Sequence, residues 1–189
     1  MKNLRLPFCL LLAALAGCVT PLLPDCTRFG RSGQVCPLPP AELPAVDAGH
    51  LVSVTHDGKT DTFMGQLHID AGALRLAGSS LFGTGLFMLQ YDGHTLTLQP
   101  DNPQLPADKL LVMLELALAD PAVIRQRLHD LELTVTDTGH GEVREVSERG
   151  HLIVHIERDA APLARQTLSI SVPPLGLSVS MKPLEETAP

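Results

Sequence analysis

The 189-residue sequence has no tryptophan, one tyrosine and five phenylalanines. With so few rings to fill space, a core and any cavity inside it must be lined mainly by Leu, Val, Ile and Met. Basic charge is scarce as well, with 14 Lys and Arg against 21 Asp and Glu and a net charge of −7. That balance excludes nucleic acid as a partner, because neutralising phosphates requires clustered Lys and Arg. The apolar run from Leu6 to Leu15 is well short of the roughly 20 residues a helix needs to cross a bilayer, so a permanent span is not expected.

Catalytic and metal signatures are also missing. No HExxH, G-x-S-x-G or Cys-x-x-Cys stands in the chain, which argues against zinc protease, α/β-hydrolase and zinc-ribbon chemistry. His151 and His155 share a strand face but have no acid or Cys at ligand spacing, so they read as solvent-facing. Ser79 and Ser80 sit in a Gly-flanked loop with no evident base, and Glu142, Glu145 and Glu148 read as the solvated face of a polar strand. The expectation is a protein that is not an enzyme and needs no cofactor or metal.

What the chain does have begins at its first residues. Lys2 and Arg5 precede the apolar run, which ends in Leu15-Ala16-Gly17-Cys18. This is the layout of a signal peptide, closed by a lipobox. Residues 1–17 are expected to be cleaved and Cys18 acylated, since the chemistry needs a thiol to accept the diacylglyceryl group. Val19 stands where an acidic residue would favour the inner membrane, so the expected address is the outer membrane, facing the periplasm. Three acyl chains at about 0.8 kcal/mol per buried methylene would make the anchor practically permanent. Without Lys2 and Arg5 the mature chain keeps 12 basic residues against the same 21 acidic ones.

Residues 18–46 are expected to be a lipidated, Pro-rich tether, because Pro21, Pro24, Pro37, Pro39, Pro40 and Pro44 deny it helical continuity. Cys9 leaves with the signal, and Cys26 and Cys36 remain as a candidate disulfide in an oxidising compartment, the alternative being two unpaired thiols.

From residue 47 to 189 the chain reads as one β domain. Phe63, Leu67 and Ile69 face one way while Met64, Gln66 and His68 face the other, and similar alternation runs through 131–136, 152–157, 167–172 and 175–181. In the segment 84–91, Leu86 and Met88 oppose Phe87 and Leu89, which predicts a strand covered on both sides. Helices are expected at about 106–129, first through Leu110, Leu111, Leu114, Ala117 and Leu118. A second follows the Asp120 cap and Pro121 and runs to about His129. The fold class is mainly β with a helical insertion (α+β): an antiparallel sheet that either closes on itself or leaves an apolar concavity. The candidate lining of that concavity is Phe63, Leu67, Leu76, Leu86, Met88, Leu114, Leu118, Leu133 and Val154.

The lipobox, the Pro-rich segment, the strand run, the hairpin from Leu76 to Phe87 and the helix pair together resemble the outer-membrane lipoprotein receptor LolB. They are more similar still to a family of uncharacterised small lipoproteins often encoded near aryl-polyene and lipid-assembly genes. The resemblance implies a strongly bent, incomplete β-barrel of the LolA/LolB type, with helices in its open side and room for acyl chains. It also implies a membrane-insertion loop, at Leu81, Phe82 and Gly83 here, and a periplasmic LolA-like carrier as partner to a monomer. Two functions follow. One is an outer-membrane lipoprotein that binds a lipid-like or lipidated ligand and passes it to the membrane; the alternative is a structural adaptor with no ligand cavity.

Overall fold

The computed structural model describes residues 26–100 and 106–184. The export segment and Cys18 lie outside the described residues. The chain enters through two short strands, β1 (Thr27–Arg28) and β2 (Gln34–Val35), and Cys26 is joined to Cys36 by a disulfide that closes this loop. There follow β3 (Val46–His56), β4 (Lys59–Ile69), β5 (Leu74–Ser79), β6 (Gly85–Tyr91) and β7 (Leu96–Gln99). The helices α1 (Ala107–Leu118) and α2 (Pro121–Arg125) come next, then the short β8 (Leu128–His129). The last strands are β9 (Glu132–Asp137), β10 (Gly141–Glu148), β11 (His151–Asp159), β12 (Leu168–Val172) and β13 (Leu177–Pro183).

Ten strands form one antiparallel sheet in the order β7-β6-β5-β4-β3-β13-β12-β11-β10-β9. The final strand β13 pairs with β3 and joins the two halves of the chain in the middle. The sheet is not closed, since its outer strands β7 and β9 do not pair with each other. The antiparallel register brings four turns to one end, at 57–58, 80–84, 149–150 and 173–176. Leu177 lies opposite His56, Ser79 opposite Met64, and Ser171 opposite His155.

Helix α1 explains how this open sheet is filled. Every residue from Leu111 to Leu118 is buried, and at 3.6 residues per turn those eight cover the whole circumference of the helix. The helix is therefore enclosed. It packs against β7 and β12 of the large sheet and against β1. The backbone N–H of Leu38, from the N-terminal segment, donates to the Glu115 carboxylate at 3.1 Å.

That enclosure corrects the expected tether. Among residues 29–46, Phe29, Val35, Leu38, Leu43 and Val46 are buried in the core, and β2 pairs with β8 in a small three-stranded sheet. Proline denies a segment helical donors but does not keep the apolar residues between prolines out of a core. The second helix is also shorter than expected. The Asp120 carboxylate caps it by accepting from Ala122 N–H, and it ends at Arg125 because residues 128–129 are drawn into pairing with β2. Strand β6 is covered on one side only: Leu89 and Tyr91 are buried, whereas Leu86 and Met88 face outward at 44% and 49% exposure.

Strand β10 holds a feature that its composition hid. Arg144, Val146 and Glu148 alternate on the inner face and are all buried, so Glu148 is not part of a solvated face. Its carboxylate accepts from the backbone N–H groups of Arg31, Ser32 and Gly33 and from Ser32 Oγ at 2.6 to 2.9 Å, which pins the N-terminal loop to the sheet. Arg144 pairs with Glu142 and donates to the carbonyls of Leu116 and Ala119 at 2.8 and 2.7 Å. Glu145 alone of the three acids lies on the outer face, beside His155.

Candidate functional site

The end of the sheet that carries the four turns is also where apolar side chains collect. The loop from Ser80 to Thr84 is shaped by Ser80, whose Oγ accepts from Phe82 N–H at 3.3 Å and Thr84 N–H at 3.1 Å. Ser80 N–H donates to the Thr84 carbonyl and Gly83 N–H to the Ser80 carbonyl. Gly83 has a φ of 82°, a left-handed conformation that costs glycine little and other residues more. The Ser80 hydroxyl thus has a local structural task. The loop holds Phe82 out at 98% exposure and Leu81 at 56%, so neither turns into the core.

Behind the loop, Phe87 lies across Gly78, where a Cβ would collide with the ring. It meets Phe63 edge to face, with centroids 5.5 Å apart and an interplanar angle of 79°. Aromatic pairs favour this arrangement because it sets the positive ring edge against the negative ring face. The pair roofs a cavity of about 70 Å³ between the sheet and α1, walled by apolar side chains alone. Val52, Val54, Leu76, Ile170, Val179 and Met181 line it from the sheet, and Leu110, Met113 and Leu114 from the helix.

The expected lining residues are therefore divided. Phe63, Leu76 and Leu114 line the cavity. Leu67 and Leu118 border a separate, far smaller recess beside His50 and Gln166. Val154 is fully buried and Leu133 half-buried against the core, and neither borders the cavity. Leu86 and Met88 are on the opposite face of the sheet, because the β6 alternation that points Phe87 inward points them out. The alternation of Val52, Val54, Ile170, Val179 and Met181 was visible in the sequence, but only the pairing of β3, β13 and β12 shows that these residues share one space.

Two further features lie outside the cavity. His155 is hydrogen-bonded to Glu157 at 2.9 Å and to Glu145 at 3.3 Å, which raises its pKa above the ordinary imidazole value; His151, its expected strand neighbour, is exposed near the turn. Cys26, Cys36 and His129 come within 4.8 Å of one another, but the two sulfurs are bonded together and offer no thiolate to a metal.

Residues 47–185 match the family described as protein of unknown function DUF3261. The chain belongs to this family. The match starts at the boundary of β3 and takes in the whole ten-stranded sheet with α1 and α2, so the DUF3261 region contains the loop, the phenylalanine pair and the cavity. The disulfide-closed segment before it lies outside the matched span, although it packs into the same core. No curated protein is significantly similar to the chain.

Proposed function

We propose that this DUF3261 protein is an envelope lipoprotein, anchored to the outer membrane through Cys18, that takes the apolar part of a lipid-like or lipidated ligand between its sheet and α1 and passes it to the bilayer. On this reading the fold is a LolB-like incomplete barrel, the protein performs no covalent chemistry, and the loop Leu81-Phe82-Gly83 is the part that enters the membrane. The observation that carries the proposal is the wholly apolar cavity under Phe63 and Phe87, at the same end of the sheet as the fully exposed Phe82. Burial of acyl chain at about 25 cal/mol per Å² supplies the driving force.

At about 70 Å³ the cavity is far below the roughly 300–1,000 Å³ of common ligand pockets. Uptake therefore requires the first turns of α1 to move away from the sheet, with Met113 adapting its shape as thioethers do. The small volume and the edges of β7 and β9, which have no strand partner among the described residues, favour the second reading, a structural adaptor without a ligand. Native mass spectrometry of the lipoprotein purified from its own membranes separates the two. Co-purified lipid in the wild type, lost when Leu110→Trp fills the cavity, supports the carrier; a protein with no adduct and no uptake of a fluorescent fatty acid supports the adaptor.

A further inference from the structure

A second cleft opens at the same end, on the far side of α1 from the phenylalanine pair. Its volume is about 770 Å³, well within the range of small-molecule sites. It lies between β1, the N-terminus of α1, the β10–β11 turn and the turn at 173–176. Arg28, Arg31, Lys109 and Arg149 stand around it, with Leu152 and Leu175 on its rim. In a chain with seven more acidic than basic residues, four cations on one cleft is a local reversal of charge.

The two carboxylates in the cleft offset half of that charge and leave a formal excess of two cations. They are Asp108 and Glu148, and the Glu148 oxygens are already taken by the N–H groups of residues 31–33. The Arg and Lys ion pairs of the described residues are made by Arg75, Arg127, Arg144 and Arg158, none of them in the cleft. The first turn of α1, which has no side-chain cap, adds its partial positive charge to the same space. Leu152 and Leu175 are 39% and 38% exposed and give the cleft an apolar lip.

We propose that this cleft binds the phosphate or carboxylate head of an anionic amphiphile, with Arg28, Arg31, Lys109 and Arg149 on the charged head and Leu152 and Leu175 against the first methylenes of its chain. Arginine forks suit both head groups because they can donate two parallel hydrogen bonds. The inference rests on the lipid-carrier reading for the fate of the tail, and it adds that the ligand is charged and of which sign.

The test uses the full chain with Cys18→Ser, so that no acyl chain of its own competes, titrated calorimetrically below micelle-forming concentrations with dodecyl phosphate, dodecyl maltoside and inorganic phosphate. Dodecyl phosphate should bind at least about tenfold more tightly than the maltoside, and inorganic phosphate roughly a hundredfold more weakly than dodecyl phosphate. The triple variant Arg28→Ala/Lys109→Ala/Arg149→Ala should lose the preference and keep the maltoside affinity. Its melting curve should match the wild type, because Arg28 and Arg149 are exposed and Lys109 only half-buried. Equal affinity for the two amphiphiles, or a preference that survives the triple variant, overturns the inference and leaves the carrier reading standing. Inorganic phosphate as tight as dodecyl phosphate overturns it in favour of a free-anion site, and binding to phosphatidylglycerol vesicles alone in favour of a membrane surface. No binding of either amphiphile defeats both readings.

Discussion

At the C-terminal end of α1 the backbone carbonyls of Leu116, Ala117 and Ala119 receive hydrogen bonds from Arg144 and Arg158, and both guanidinium groups are tied to Glu142. At the N-terminal end Pro106 provides no side-chain cap, and Leu110, Met113 and Leu114 border empty apolar space. One end of the same helix is therefore locked by directional, charge-assisted bonds, and the other is held by non-directional contacts that leave room beside it. Movement of the helix's N-terminal end would break fewer directional bonds than movement of its C-terminal end, while still drawing on the burial of Leu111, Val112 and Met113. On the carrier reading, that difference makes the N-terminal end of α1 the part that moves to admit a chain.

The most damaging change should fall on the lock. Arg144 is 1% exposed, and Arg144→Met leaves two helix carbonyls without donors and Glu142 with less compensation, a loss of about 3–5 kcal/mol. Lys109→Met, at the other end, should stay within about 0.5 kcal/mol. Urea unfolding of both variants measures the contrast, and equal losses would break it. Next in size is the clasp on the N-terminal segment. Removing the Cys26–Cys36 bond, which closes a loop of separation 10, should cost about 2.5–3 kcal/mol. In thermal scans this should appear as a Tm lower by roughly 2–4 °C per kcal/mol.

Much of the large sheet was legible in the sequence because its signal is local. The alternation of Phe63, Leu67 and Ile69, or of Leu168, Ile170 and Val172, needs only neighbouring residues to be read; all are buried except Phe63, which is half-buried. Phe82 was singled out by the resemblance to LolB alone, and its exposure of 98% is a finding of the structure. What could not be read depends on contacts distant in the chain. Residues 26–46 looked like a tether because proline spacing is conspicuous while the apolar series Phe29, Val35, Leu38 and Leu43 has no regular period. Glu148 looked solvated because its partners lie 115 to 117 positions away. The basic cleft draws its four cations from three separate stretches of chain, so no window of sequence shows a cluster.

The pH dependence sharpens the comparison along the helix. Burial pushes the Glu115 carboxyl up to about 8, against a pull from Leu38 N–H and Arg127. A carboxyl raised in the folded state holds its proton where the unfolded chain has lost it, so its contribution to stability falls as pH rises from about 4.5 to about 8. Glu148 acts in the opposite sense. The N–H of Arg31, with Ser32 and Gly33, holds it down to about 2, so its contribution is complete above about 4.5 and is lost as pH falls toward 2. Glu115→Gln should remove most of the decline in Tm between pH 5 and 8, leaving the part that His155 contributes, and leave the acid limb unchanged. If the variant keeps the same decline, Glu115 is not the group responsible.

The smallest effect on folding should come from the residue with the largest expected effect on function. Phe82 has 98% of its surface exposed, so Phe82→Glu should change the unfolding free energy by no more than about 0.5 kcal/mol. Replacing an exposed ring by a carboxylate removes roughly 1.5–3 kcal/mol of apolar burial that a bilayer could offer, and adds a charge that resists leaving water. Flotation of the Cys18→Ser chain with lipid vesicles should therefore drop about tenfold or more in the variant. Phe87→Ala is the counterpart, because its ring packs on Phe63 and Gly78; it should lower stability while leaving the exposed loop, and flotation, in place. The pair of outcomes matters more than either alone. If Phe82→Glu destabilises the fold, the loop belongs to the core after all; if it alters neither stability nor flotation, the exposed ring is not what meets the membrane, and the open end of the sheet must work through the cationic cleft alone.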